Sequence, residues 1–270
     1  MFNRILTPLD GSLPATYALV AAEDLANRFD ADLQVLTLTQ KGRSEIGLSR
    51  IIERQVARIE HHPRVDIRPL SYTVAEDIAG EFDRVDGTLV VMSTWARGRA
   101  AGFVSNVSED VLRLVREPIV MVGPDTLVED GWLDGPMFIT TDGSPFGDSI
   151  VPFAGQFAVD AGLEPWLISV VDDSKIPAGV DRAGEVNAVA VLADSMEAVV
   201  GKPVNYDVLH GHEPAKAIAE YAERHDASLI AMSTHGRSGV WRLTQGSVAM
   251  DVVKHAGCPV LLNRPPAESN

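Results

Sequence analysis

Short apolar runs alternate along this chain with longer stretches of helical periodicity. In the second half the runs are Phe138–Thr141, Trp166–Val171, Val204–Leu209, Leu229–Met232 and Val260–Leu262, almost continuously apolar. Runs of that length without polar alternation suit strands of a parallel sheet covered on both faces by helices. Between them, the stretch from Asp148 to Ala161 sets Ile150, Val151, Ala154, Phe157, Ala158 and Ala161 on one helical face, with Gly162 as its stop. The stretch from Glu213 to Arg224 repeats the pattern with Ala217, Ile218 and Tyr221, and Pro214 is acceptable in its first turn. After Ser247, placed as an N-cap, Val248, Val252 and Val253 form an apolar stripe that ends at Gly257 before Pro259. The pattern predicts βαβ units and a doubly wound, five-stranded parallel sheet.

The same pattern occurs twice. Ile5-Leu6-Thr7-Pro8-Leu9-Asp10-Gly11-Ser12 returns as Phe138-Ile139-Thr140-Thr141-Asp142-Gly143-Ser144, and Leu89-Val90-Val91-Met92-Ser93-Thr94 as Leu229-Ile230-Ala231-Met232-Ser233-Thr234. Pro118-Ile119-Val120-Met121 returns as Pro259-Val260-Leu261-Leu262, so order is kept and spacing nearly so. The glycines, prolines and acidic residues from Gly123 to Pro136 read as a linker with a boundary near Asp130. Two tandem α/β domains are expected, over residues 1–125 and 136–270.

Composition narrows the function classes. With 46% hydrophobic residues among 270, the chain can bury two ordinary cores. The first residues lack an uninterrupted apolar segment and no run approaches the roughly 20 apolar residues of a membrane span, so a cytoplasmic protein without a membrane partner is expected. A net charge of −15 repels phosphate backbones and argues against nucleic acid as a partner. The single cysteine, Cys258, excludes an internal disulfide, and its apolar surroundings Pro259-Val260-Leu261-Leu262 predict a buried strand thiol.

The candidate chemistry follows the fourth strand of the second half. Gly236, Gly239 and Gly246 let backbone N–H groups approach an anion, and a helix opening at Ser247 adds unpaired N–H groups and a positive dipole end. Arg237 and the Ser247 hydroxyl supply further donors. A plainer reading is a loop that joins strand to helix, since short glycine motifs match by chance. Asp10 and Asp142, each before Gly-Ser, fit a tight turn leaving the first strand. His210, His212 and His235 could converge, but no carboxylate or thiolate is spaced to complete a protein-built metal site. There is no serine-hydrolase elbow, no Walker lysine and no G-x-G-x-x-G after a first strand.

From these residues the chain resembles the universal stress proteins. The ATP-binding members have a glycine, two residues, a second glycine, nine residues, then Gly-Ser or Gly-Thr. Here Ser233 stands at the first glycine, Gly236 at the second, and Gly246-Ser247 close the motif with its spacing intact. The resemblance spans Asp10 to Val122 and Phe138 to Leu262. It implies tandem Rossmann-like, adenine nucleotide alpha hydrolase-like domains related by a pseudo-twofold axis. It also implies an ATP site, with Mg2+ carried in on the triphosphate. Asp142, preceded by Thr140 and Thr141, lies at the adenosine end of that site, Val170 lines the adenine pocket, and Gly211 with Pro214 closes over the ribose. Met232, Ser233, His235, Gly236, Arg237, Ser238, Gly246, Ser247 and Val248 form the phosphate segment.

In the N-terminal copy, Ser105-Asn106 falls at Gly246-Ser247, Ala96 at Gly236, and Glu109 replaces Met250, adding a carboxylate to the first turn of the helix. Arg97 and Arg99 partly compensate. The stretch Leu70-Ser71-Tyr72-Thr73-Val74-Ala75 lacks the Gly-x-x-Pro, so this copy is expected to be degenerate and without ATP. The resemblance implies a nucleotide-dependent regulatory protein of the stress response, with no catalytic residue assigned. It further implies self-association as a homo-oligomer (dimer), with the final strands able to pair, and a regulatory protein partner of unknown identity. A slow ATPase or nucleotide-transfer enzyme using His235, and a nucleotide-free interaction module, are the alternatives.

Overall fold

The computed structural model describes residues 1–40, 45–94, 106–126, 128–129, 131–172, 183–234 and 248–264. The chain divides into two compact units, Met1–Trp132 and Leu133–Asn270; Asp130 lies outside the described residues.

Unit 1 contains strands β1 (Arg4–Pro8), β2 (Asp32–Thr39), β3 (Arg64–Pro69), β4 (Thr88–Ser93) and β5 (Ile119–Val122), with helices α1 (Leu13–Phe29), α2 (Glu45–Val56), α3 (Val74–Ala79) and α4 (Asn106–Leu114) between them. Its strands lie in the order β3-β2-β1-β4-β5, and every described pair is parallel. Unit 2 repeats this plan. Strands β6 (Met137–Thr141), β7 (Pro165–Asp172), β8 (Asn205–Gly211), β9 (Leu229–Ser233) and β10 (Val260–Asn263) alternate with α5 (Pro145–Asp148), α6 (Ile150–Ala161), α7 (Ala183–Val200), α8 (Pro214–Arg224) and α9 (Val248–His255). The order β8-β7-β6-β9-β10 is again parallel. Each unit is therefore the doubly wound α/β sheet that the apolar runs predict. The core of each unit includes residues of its strands: Ile5, Leu89 and Ile119 in unit 1, and Ile139, Leu229 and Leu261 in unit 2, are fully buried. Among the described residues, no helix is long and apolar enough to cross a membrane.

Several elements depart from the sequence reading. The helix expected from Asp148 begins a turn earlier, with Ser144 as N-cap accepting from the Gly147 amide at 3.0 Å, and then breaks at Ser149. Pro152 explains the break, because it has no N–H for the Asp148 carbonyl and its ring crowds that group. Gly162 ends α6 as expected, in the left-handed region at φ 68. Helix α7 has no clean stripe in the sequence, and Val186 and Val191 on it are exposed. Strand β8 is polar and largely exposed, unlike the almost continuously apolar strand expected over Val204–Leu209, because it lies at the edge of its unit's order and has one strand neighbour instead of two. Val248 is 42% exposed and lies off the buried stripe of α9, which comprises Ala249, Met250, Val252 and Val253.

The base of unit 1 contains a buried ion cluster. Arg4 donates from Nε to Thr88 Oγ1 at 2.9 Å, from NH1 to Gln34 Oε1 at 2.9 Å and Glu81 Oε2 at 3.1 Å, and from NH2 to the Glu81 carbonyl at 2.6 Å. The other Glu81 oxygen accepts from Arg68 at 2.5 Å and Arg84 at 2.7 Å. Glu81, 2% exposed, is the common anion for three guanidinium groups. Removing one member of such a cluster leaves buried charge uncompensated, at a cost of about 3–5 kcal/mol. Glu81→Leu is therefore expected to lower the urea midpoint of unit 1 by that equivalent, whereas an unchanged midpoint would show that the arginines are solvated.

Cys258 lies in the bend that precedes β10, not in the strand as expected, and is buried. Burial pushes its thiol up to about 12, which keeps it protonated at neutral pH. Folded protein should show no reaction with an aromatic disulfide reagent, and one thiol per chain should appear on denaturation.

Candidate nucleotide site

In both units the two central strands part company towards their carboxyl ends. The β6–β9 ladder runs from Met137↔Leu229 to Ile139↔Ala231 and stops, whereas β6–β7 continues to Thr141↔Ser169. The Thr140 hydroxyl reaches across the opening to the Ala231 carbonyl at 3.3 Å. In unit 1, β1–β4 likewise ends at Leu6↔Val90, while β1–β2 continues to Pro8↔Leu36. The chain leaves β6 towards β7 and reaches β9 from the far edge, so this is the point where the winding reverses and an open α/β sheet forms a crevice.

The described residues singled out from the sequence converge on this edge of unit 2. Asp142 follows Thr141, which pairs with Ser169, so Val170 stands at the same level one strand over. Val170 pairs with Leu209, and two positions further Asp172 pairs with Gly211. Met232 and Ser233 end β9, Met232 buried and Ser233 half-buried. His235, Gly236, Arg237, Ser238, Gly246 and Ser247 lie outside the described residues, as do Ala96, Arg97, Arg99 and Ser105 of unit 1.

Asp142 is held tightly. Its Oδ1 accepts from the Ser144 amide at 3.0 Å and the Ser144 hydroxyl at 2.5 Å. Gly143, at φ 72, makes the turn, and its amide donates to Thr141 Oγ1 at 3.2 Å. Thr141 in turn donates to Asp148. Gly147 is needed for this arrangement, since a Cβ there would come within 2.2 Å of Asp142 Oδ1. The turn role read for the Asp-Gly-Ser segment is thus present, and Asp10 in unit 1 accepts from the Ser12 amide at 2.9 Å in the same way. The sequence reading named Thr141 and Asp142 but missed Ser144, Gly147 and Asp148, which fix them. The Ser-Pro pair at 144–145, an N-cap followed by a proline, was the available signal.

The helix starts facing the crevice differ between units. In α8, Pro214 occupies the first turn and the N-cap Glu213 makes no side-chain cap bond. A side chain added at Gly211 would meet only Ala217 at 3.7 Å, ordinary contact, so this glycine is not demanded by packing. In unit 1, Thr73 and Glu76 close a reciprocal capping box on α3: the Glu76 amide donates to Thr73 Oγ1 at 3.2 Å, and the Thr73 amide to Glu76 Oε2 at 3.0 Å. That terminus satisfies itself and adds a carboxylate where an anion would bind. The contrast drawn from Glu109 is narrower than expected, because both terminal helices have an acid in the first turn. Glu109 lies 3.8 Å from Arg113, and Asp251 is paired with Lys254 at 3.1 Å. Among the described residues, no group of three or more His, Cys, Asp or Glu could hold a metal ion, and His210 and His212 are both exposed.

Known proteins agree with this architecture. The universal stress protein family model matches residues 1–123 and 136–264. A universal stress protein of Methanocaldococcus jannaschii is 34% identical over 139 residues, covering 47% of this chain and 81% of that protein. A universal stress protein of Mycobacterium tuberculosis is 26% identical over 189 residues, or 66% of this chain and 62% of that protein, so the match spans less than two thirds of the relative. Among solved structures, a universal stress protein from Archaeoglobus fulgidus superposes with a TM-score of 0.67 at 18% identity, covering 98% of this chain and 99% of that one. A protein of unknown function from Pseudomonas aeruginosa gives 0.68 at 17% identity over 98% and 93%. At these identities the two structures bear on the fold alone. The chain belongs to the universal stress protein family and carries that family's domain twice in tandem.

Proposed function

We propose that unit 2 binds ATP in the crevice between β6 and β9, with Mg2+ brought in on the triphosphate, and that occupancy regulates this protein in a stress response. The observation that carries the reading is the arrest of the β6–β9 ladder at Ile139↔Ala231, with Asp142, Val170, Gly211 and Ser233 all at the carboxyl edge of the same sheet. In this reading the buried Val170 offers an apolar wall to the adenine, and the Asp142 turn borders the adenosine end. In the same reading the chain from Gly211 to Pro214 covers the ribose. The triphosphate falls to the segment from Ser233 to Ser247, whose glycines at 236 and 246 suit backbone N–H donors. Unit 1 is read as nucleotide-free, consistent with the self-satisfied capping box at Thr73 and Glu76.

Calorimetric titration of ATP and magnesium into the full chain tests this directly. One equivalent per chain is expected, abolished by Gly246→Asp, which places a side chain and a negative charge in the phosphate cradle; absence of heat with nucleotide-free wild type would sink the reading. Gly147→Ala gives a second, finer test. By displacing the Asp142 carboxylate it should weaken ATP binding about tenfold, the scale of one hydrogen bond to a charged group. Equal affinity in this variant would remove Asp142 from the site.

A further inference from the structure

At the opposite, amino-terminal end of the strands, the two units fill one structural slot with different chemistry. From the caps Thr73 and Glu213 the chain runs without insertion to Met92 and Met232, so Glu81 stands where Tyr221 stands, Arg84 where Arg224 does, and Val85 where His225 does. The ladders make Gln34, paired with Arg64, the counterpart of Trp166, paired with Asn205. In unit 2 the slot is packed with rings: Tyr221 and His225 lie 4.3 Å apart, Trp166 and His225 5.6 Å, and Phe138 stacks on Trp166 at 5.6 Å. The Tyr221 hydroxyl donates to Asp207 at 2.9 Å. Unit 1 has replaced three of these rings with Gln34, Glu81 and Val85. What remains is an open cleft of about 580 Å³.

This cleft is lined by charge, and the charge is unevenly spent. Glu81 is saturated by Arg4, Arg68 and Arg84, so it cannot neutralise anything further. Arg64 lines the cleft, is exposed, and its side chain has no hydrogen-bond or ion-pair partner among the described residues. Arg84 uses NH1 on Glu81, and its side chain as a whole is 57% exposed. The cleft is lined by three guanidinium groups, of Arg4, Arg64 and Arg84, and by the three carboxylates of Asp32, Asp66 and Glu81, in a chain whose net charge is −15. The planar guanidinium fork matches an oxyanion, and the carboxylates beside it suit a ligand that also carries donor groups. The volume falls within the roughly 300–1,000 Å³ usual for small-molecule sites, while the polar lining selects for a charged occupant.

We propose that this cleft is a second ligand site, distinct from the ATP crevice, which takes a small molecule bearing a carboxylate or phosphate group, its oxyanion held by Arg64 and Arg84. Asp32 and Asp66 on the same cleft accept hydrogen bonds from hydroxyl or amino groups of the same ligand. The site belongs to unit 1 alone, because the aromatic stack occupies its counterpart in unit 2.

The test follows the arginine side-chain Nε–Hε signals of the isotope-labelled full chain during separate titrations with succinate and inorganic phosphate at constant ionic strength, with chloride as reference. Saturable shifts at Arg64 and Arg84 are expected, weakened at least tenfold in Arg64→Ala and in Arg84→Ala, and retained in Gly246→Asp. Saturation by phosphate alone assigns a phosphate ester, by succinate alone a carboxylic acid, and by both a shared oxyanion site. Shifts that rise linearly as with chloride, or an affinity unchanged in both arginine variants, would overturn the proposal.

Discussion

Beyond Ile139 and Ala231, strands β6 and β9 share no further ladder position, because the chain has to leave them towards opposite edges of the sheet. Everything proposed for nucleotide binding depends on this constraint. A parallel sheet wound in two directions opens at its reversal point, and the carboxyl ends of β6, β7, β8 and β9 lie along that edge. The turn after β6 is fixed on its own account, by Gly143, the Asp142–Ser144 bonds and the space left at Gly147. Rigidity at that turn is what suits it to border a binding site.

Duplication produced two copies of one scaffold and then allowed their insides to diverge. The central strands tolerate little change, since Ile5, Leu89, Ile139 and Leu229 are buried from both faces. The amino-terminal end of the sheet is freer. There one copy stacks Phe138, Trp166, Tyr221 and His225, and the other gathers Arg4, Arg68 and Arg84 around Glu81. Desolvation and the Asp207 hydrogen bond push the Tyr221 hydroxyl up to about 12. The ionic version does not fill the same volume, and the cleft is the consequence. Binding surfaces in this account therefore arise from opposite causes: from topology at the carboxyl edge, and from replaced side chains at the amino edge.

The elements easiest to read in the sequence were those whose pattern has a single physical cause. Leu229–Met232 and Val260–Leu262 are apolar because they are covered on both sides, and Gly162 ends a helix because it adopts φ 68. Where two causes compete the reading faltered. Pro152 broke a helix whose apolar face continued through it, and β8 was polar because an edge strand has fewer neighbours to satisfy. Asp142, Val170, Gly211 and Ser233 could be placed at one edge by topology and resemblance together. Ser144 and Gly147 could not, because their role is to hold another side chain. The cleft in unit 1 was invisible, since it consists of what Gln34, Glu81 and Val85 fail to fill.

The central claim is that the two copies have separated in function, with nucleotide held by the second alone. Photolabelling of the full chain with an azido-adenine analogue of ATP, followed by peptide mapping, tests it most directly. The account predicts a label confined to peptides of unit 2 around Asp142, Val170 or Ser233 and displaced by excess ATP. Displaceable label in peptides of unit 1 would contradict it.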